Sequence, residues 1–368
     1  MRGTVVRYRS LGAAFERTHE RASRTWVAER LAALKCYEYG GEYEASARYR
    51  GPLYFVPNDT LVGLERAQGL GIASEADIFG GVVPHAFIAT KTITHSLVSS
   101  EAFAPEGWSD TFATRVRDAV FPGYSAFTRH DARLAARRVL ERGSARVKLG
   151  RGIGGMGQEV VTSLDQLDGM LDAVGDEALC RDGIVIEWNL EEAITYSVGQ
   201  VRVAGLQASY CGTQRTTANA QGAQVYGGSD LIVVRGGFEA LKDVDLTPEA
   251  RLAVEQARKY DTAAFEEFPG FIASRRNYDV AQGLDGGARR CSGVLEQSWR
   301  IGGASAAEIA ALEVFRAAPE VSAVRASTVE VYGKAKVPPR AIVQFSGKDA
   351  HTGPMTKYVI VEPYADTD

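Results

Sequence analysis
Apolar residues recur along the chain at two spacings, and the spacing changes from segment to segment. Leu11, Phe15, Ala22, Trp26, Leu31 and Leu34 fall near one stripe, which predicts an amphipathic helix over residues 10–34. A short apolar strand is expected at Leu53–Val56, stopped by Pro57. A helix is expected over Leu61–Leu70, and the Gly80-Gly81-Val82-Val83-Pro84 run then reads as a turn or crossing that closes a first domain near residue 85. Helical periods return at 110–120 and 130–142, the second ending at Gly143. Ala145–Leu149 and Gln158–Thr162 read as strands on either side of a glycine loop. Ser163 and Gln166 form a capping box for a helix that turns Leu164, Leu167, Leu171 and Val174 inward, and Gly183–Trp188 reads as the next strand. Period-2 alternation dominates from Tyr196 to Arg235. Thr247 and Pro248 then open a helix to about Tyr260, strands flank Asp285-Gly286-Gly287, and a helix covers Ala306–Phe315.

Composition narrows the function classes. The 368 residues have room for two or three domains, and 45% hydrophobic with 24% charged residues is an ordinary globular balance. No run approaches the ~20 apolar residues of a bilayer helix, and the Arg-rich start lacks the apolar core of a signal peptide, so a cytoplasmic protein without a membrane partner is expected. A net charge of −4 argues against nucleic acid as a partner. Four scattered cysteines form no C-x-x-C pair, which speaks against a zinc site or a disulfide framework.

Two constellations carry chemistry. The first is Gly150-Arg151-Gly152-Ile153-Gly154-Gly155-Met156-Gly157, which holds G-x-G-x-x-G twice over. A dinucleotide fingerprint must open a helix, whereas this loop leads into the β-branched run Gln158–Thr162, and no G-K-[ST] follows as in a P-loop. A hairpin remains whose bare backbone, at Gly152, Gly154, Gly155 and Gly157, can lie close over phosphates. Alternation puts Lys148 with Arg146 on the strand face opposite Val147 and Leu149, within reach of those phosphates. The competing account makes Lys148 a solvated strand residue and the glycines a plain turn. The second constellation pairs Arg275–Val280 with Val294–Arg300. If they form a hairpin turning near Gly287-Ala288, opposed residues sum to 575 and Asp279 faces Glu296, with Ser298 and Arg300 on the Glu296 face. Opposed carboxylates repel unless a cation is shared, and Mg²⁺ fits such a pair together with nucleotide phosphates. The alternative is a slipped register, with one carboxylate in solvent and the other paired to Arg276 or Arg290.

Together these segments resemble the ATP-grasp superfamily from about Ala89 to Ser305. Lys91, in Ala89–His95, resembles the first phosphate-binding lysine. Lys148 and the glycine loop resemble the second lysine and its phosphate flap. Ile184–Leu190, with Glu187, Trp188, Asn189 and Leu190, resembles the hinge strand that hydrogen-bonds adenine. Asp279 and Glu296-Gln297-Ser298-Trp299-Arg300 resemble the metal-ligand strands, the latter usually read E-x-N-P-R. More narrowly, Phe79–His85, Phe121–Tyr124 and Arg276–Gly283 are similar to a proteobacterial family of unknown function whose ATP-grasp module is like that of biotin carboxylase. The chain departs from the pattern where Ser298 and Trp299 replace Asn and Pro, and either Glu192 or Thr195 would make the ribose contact.

The resemblance implies an α+β and α/β architecture in which two α+β lobes sandwich the nucleotide behind an N-terminal α/β domain. The parts would be residues 1–88, a linker at 89–144, a flap lobe at 145–195, a large lobe with the metal site at 196–330, and a C-terminal β segment at 331–368. It implies ATP and Mg²⁺, with Mn²⁺ a substitute, and a ligase that joins a small carboxylate substrate to an amine or other nucleophile through an acylphosphate. Asp279, Glu296 and Ser298 would be the metal ligands, Arg300 would steady the transferred phosphoryl group, and Arg215 and Arg276 are candidates to clamp the acid, the alternative for both being surface arginines of no consequence. Related folds often pair as homodimers. The rival expectation is a nucleotide-binding homologue without ligase activity, acting by binding or regulation.

Overall fold
The structure, a computed structural model, describes residues 3–10, 18–152, 157–219 and 222–364. The chain begins with β1 (Thr4–Tyr8), α1 (Thr18–Lys35), β2 (Glu38–Glu42) and β3 (Leu53–Pro57), whose strands form a parallel sheet in the order β2-β1-β3. β4 (Leu61–Val62), α2 (Leu64–Gly69) and β5 (Gly81–Val83) follow, so the helix expected over 61–70 is a two-residue strand and a short helix. The helix stripe expected from residue 10 is observed from Thr18 onward, and Leu11 and Phe15 lie outside the described residues.

The next lobe comprises α3 (Asp110–Val116), β6 (Gly123–Ala126), α4 (Arg129–Leu140), β7 (Ala145–Leu149), β8 (Gln158–Val161), α5 (Leu164–Val174), α6 (Asp176–Asp182) and β9 (Ile184–Trp188). β7 and β8 pair antiparallel with Lys148 opposite Gln158, so the glycine loop is a hairpin connection and opens no helix. The four strands run β6-β9-β7-β8, and one face is covered by α4 and α5 through Ala132, Ala135, Val139, Leu167 and Leu171. Ser163 Oγ accepts from Gln166 N as the capping box requires, while the Gln166 side chain reaches back to Thr162 N instead of the cap residue.

The remaining elements are β10 (Glu191–Val203), β11 (Leu206–Ala218), β12 (Gln224–Arg235), α7 (Pro248–Glu267), β13 (Ile272–Ala273), β14 (Arg275–Leu284), β15 (Arg290–Ser298), α8 (Ser305–Ala317), β16 (Ala323–Tyr332), β17 (Ile342–Asp349) and β18 (Gly353–Pro363). Eight of these strands form one antiparallel sheet in the order β15-β14-β10-β11-β12-β16-β18-β17. α7 packs on one side through Ala253, Ala257, Tyr260 and Ala264, and α8 on the other through Ala307, Ala311 and Phe315.

The N-terminal region meets this sheet by close backbone approach. Gly81 N donates to Trp299 O at 2.7 Å, and a Cβ on Gly80 (φ 126°) would stand 3.0 Å from that carbonyl oxygen. Glycine at 80 and 81 thus lets β5 seat against the end of β15, one residue before Arg300. Among the described residues no helix is long and apolar enough to cross a membrane.

Candidate active site
The facing sides of the lobes and the N-terminal region enclose a cleft of about 1290 Å³. Lys91 and Lys148 line it together with Asp279, Glu296, Ser298 and Arg300. The β14–β15 hairpin has the expected register at its functional end, where Asp279 is the direct partner of Glu296 and Asn277 of Ser298. Beyond it the register slips by one, because Val280 pairs with Val294 and Leu295 is left as a bulge. The bulge turns Leu295 toward the cleft, whereas strict alternation would put it on the far face with Gln297 and Trp299. Those two are buried. Gln297 donates to Ile88 O and Thr90 O, and Trp299 Nε1 donates to Tyr278 OH at 3.1 Å.

Lys148 is a buried residue, not a solvated one. Its Nζ lies 2.5 Å from Glu187 Oε1 and 3.4 Å from Leu295 O, while Glu187 Oε2 meets His95 Nε2 at 3.0 Å. Burial pulls the Lys148 ammonium below its ordinary pKa, with Lys91 adding to the effect and Glu187 opposing it. Burial alone would raise the Glu187 carboxyl, but Lys148 and His95 outweigh it and hold the group down at about 2. Glu187 therefore acts on Lys148. Its side chain, expected at the cofactor, is paired with Lys148 and His95 and is not among the residues that line the cleft.

Lys91 begins a short 3₁₀ turn. Its Nζ pairs closely with Glu296 Oε2, and its backbone N donates to Gly150 O at 3.1 Å, tying the first lysine to the glycine loop. Part of the repulsion expected between the opposed carboxylates is thus met by a lysine. Asp279 keeps the strain: burial, then Glu296, push its carboxyl up to about 6, against hydrogen bonds from Gln214 and Asn277. Asn277 Nδ2 is 2.8 Å from Asp279 Oδ1. Behind them, Arg275 and Glu308 form a fully buried ion pair at 2.8 Å, and Arg275 Nη1 donates to Ser298 O and Arg300 O at 3.1 and 2.6 Å. Among the described residues no three His, Cys, Asp or Glu side chains converge on one point. Asp279 and Glu296 offer hard oxygen donors to one cleft, which fits Mg²⁺ or Mn²⁺ bound chiefly through carboxylate, amide, water and phosphate oxygens.

Two expected residues, Arg276 and Glu192, sit away from the cleft, and a third, Arg215, is engaged within it. Arg276, expected as a substrate clamp, does not line the cleft: strand alternation turns it away from Asp279 toward α7, where it pairs with Asp261 at 3.0 Å, bonds Gln200 and lies over Phe265. Glu192 is exposed on an irregular turn of β10 with φ 50°, while Thr195 lines the cleft. Arg215 does line the cleft, but its guanidinium meets Asp230 at 2.8 Å and Thr328 O at 2.9 Å. At the end of β9, Asn189 Oδ1 accepts from Arg146 at 2.7 Å, Arg142 lies over the Trp188 ring, and Leu190 packs with Phe121, Ala281 and Leu295. Gly152 and Gly157 hold the ends of the loop through hydrogen bonds to Leu149, and Gly154 and Gly155 lie outside the described residues.

A family model described as Protein of unknown function (DUF3182) matches residues 8–359. The chain belongs to this family. No curated protein matches the sequence. Among solved structures, N5-carboxyaminoimidazole synthetase from Staphylococcus aureus complexed with ADP is similar over 98% of this chain and 93% of its own, at 11% identity and a TM-score of 0.55. Phosphoribosylamine–glycine ligase from Thermotoga maritima is similar over 99% and 93%, at 14% identity and a TM-score of 0.50. The DUF3182 chain thus has the ATP-grasp fold over nearly its whole length.

Proposed function
We propose that the chain is an ATP- and Mg²⁺-dependent ligase joining a carboxylate substrate to an amine or other nucleophile, with release of ADP and phosphate. The observation that carries this reading is the convergence of two buried lysines and an opposed carboxylate pair on one cleft between lobes. Its volume, about 1290 Å³, exceeds the ~300–1,000 Å³ of a single-ligand pocket, which leaves room for nucleotide and substrate together. The S. aureus synthetase, of the same fold, is complexed with ADP.

In this reading Lys91 and Lys148 hold the phosphates, Glu187 keeps Lys148 aimed, and the glycine loop would supply backbone N–H groups to the phosphates. Trp188–Leu190 receive the adenine end. A substrate carboxylate oxygen attacks the γ-phosphorus, the bond to the β-phosphate oxygen breaks, and ADP leaves with the electron pair. The nucleophile then adds to the acyl carbon, loses its proton, and phosphate departs. Mg²⁺ or Mn²⁺, when bound at Asp279 and Glu296, supplies charge neutralisation of the phosphates. Arg300 neutralises the transferred group, and Arg215, which lines the cleft, would meet the acid. Little covalent work falls to the protein, so positioning and charge are its contribution.

ATP with Mg²⁺ should raise the melting temperature of the full chain, and a flat response would exclude nucleotide binding altogether. ADP release stimulated by a pool of small acids and amines should be lost in Asp279→Asn and Glu296→Gln. A thermal shift without stimulated ADP release would favour binding without ligation, and release undiminished in both variants would refute the metal assignment.

A further inference from the structure
Position 298 holds a serine where the ATP-grasp pattern has a metal-binding asparagine, yet an asparagine amide stands directly across the strand pair from it. Asn277 is the cross-strand partner of Ser298, as Asp279 is of Glu296, and all four side chains line the cleft. The Ser298 hydroxyl is poorly disposed as a replacement ligand. Its Oγ is 3.4 Å from Arg275 Nη1, and the guanidinium draws on its lone pairs.

The protons around Asn277 decide which way its amide can face. Tyr210 OH stands 2.6 Å from Glu308 Oε1 and 2.9 Å from Asn277 Oδ1, and Ser197 Oγ stands 2.7 Å from the same amide oxygen. A phenol has one proton. Glu308 is fully buried, ion-paired and nearer, so the phenolic proton belongs to it in a charge-assisted hydrogen bond. Tyr210 O then faces Asn277 as an acceptor, its one other donor among the described residues being Arg275 Nη2 at the long distance of 3.5 Å, and a closer donor would satisfy it. Turning the amide over provides one: its two N–H groups meet Tyr210 and Ser197, and its oxygen takes the position 2.8 Å from Asp279 Oδ1. Two proton-free oxygens that close repel unless they share a cation. Adjacent ligands of an octahedral ion with bonds of ~2.0–2.1 Å are about 2.9 Å apart, so the pair forms one edge of an Mg²⁺ site.

We propose that Asn277 supplies the amide carbonyl ligand of the cation site, beside Asp279, in place of the asparagine missing at position 298. The assignment rests on the proposed nucleotide and Mg²⁺ binding and moves one ligand from β15 to β14. With the cation bound, the amide exchanges the hydrogen bond it gives Asp279 in the metal-free chain for ones to Tyr210 and Ser197, and depends on the Arg275–Glu308 pair to fix the phenolic proton.

The test is a titration of the full chain, in the presence of ADP, with Mn²⁺ followed by its electron paramagnetic resonance signal. Asn277→Leu, similar in shape but without the oxygen, should weaken Mn²⁺ binding at least about tenfold and leave the thermal shift produced by ADP alone unchanged. Asn277→Asp should bind Mn²⁺ within a few-fold of the parent. The exchange N277S/S298N should recover part of the loss seen in Asn277→Ser. If Asn277→Leu does not fold, Tyr210→Phe carries the test, because removing the oxygen that receives the turned amide should weaken Mn²⁺ binding several-fold. Parental Mn²⁺ affinity in Asn277→Leu, or in Tyr210→Phe where that variant carries the test, overturns the assignment, as does a parent chain that binds ADP but no Mn²⁺. Absence of any shift with ADP in the parent overturns the nucleotide reading itself.

Discussion
A carboxylate buried beside a second carboxylate has a cost that depends on pH. Asp279 ionises near 3.8 when free in the chain and at about 6 in the fold, because burial and then Glu296 disfavour its charge. The folded state therefore keeps a proton that the unfolded state releases between those values. Stability from this group falls as pH rises through that window, and the full cost is present above it. Asp279→Asn removes the cost, on the order of 1–3 kcal/mol. In chelator the variant should melt higher than the parent at pH 7.5 and close to it near pH 4.5, as read by scanning calorimetry. Mg²⁺ with ATP should raise the parent and not the variant. An equal difference at both pH values would show that Asp279 is not strained. Glu187 is the opposite case in the same cleft, a carboxylate held ionised by Lys148 and His95, which is why one acid anchors a lysine and the other is left for a cation.

The hairpin of β14 and β15 shows what periodicity can and cannot read. The facing of Asp279 and Glu296 was legible because alternation and a turn near Gly287 suffice to set a register. The bulge at Leu295 was not, since no residue type marks an extra position in a strand. Alternation on β14 also places Arg275 and Asn277, and not Arg276, on the Asp279 face. The helix behind the hairpin was legible as an element, but the partner of its Glu308 was not, because that ion pair joins residues 33 apart. Glu308 holds Arg275, and Arg275 holds the carbonyls of Ser298 and Arg300, so α8 fixes the end of β15. Glu308→Gln leaves a buried guanidinium uncompensated and should cost about 3 to 5 kcal/mol in urea unfolding. The paired change R275M/E308L should be less destabilising than Glu308→Gln alone, while still impairing nucleotide-dependent stabilisation with Mg²⁺. A paired variant less stable than the single one would show that the ion pair is not the element that matters.

At the scale of the whole molecule, the two ends of the chain share one core. Val5, Val27 and Leu31 from the N-terminal region belong to the same buried cluster as Val324 and Val359 from the last strands, with α8 between them. His19 N donates to Asp349 Oδ2 at 3.2 Å, which pins the first turn of α1 to the end of β17. Residues 331–368, expected as a C-terminal β segment, hold β17 and β18, which extend the eight-stranded sheet from β16 to its edge, so they can be described as part of one core or as an appendage to it. Cutting the chain after Gly333 tests which description governs folding. The cut would leave β16 as an unpaired edge and uncover Val324 and Ala326, besides removing Val359, Ile342 and Val361 from the cluster. At ~1.5–3 kcal/mol for each buried aliphatic side chain, the loss is comparable to the ~5–15 kcal/mol margin of a folded domain. The truncated chain should therefore lose hydrogen-exchange protection not only in β16 but in α1, more than 280 residues away in sequence. Protection of α1 equal to that in the full chain would show the C-terminal strands to be an appendage, and the cleft they help to line would then belong to the preceding residues alone.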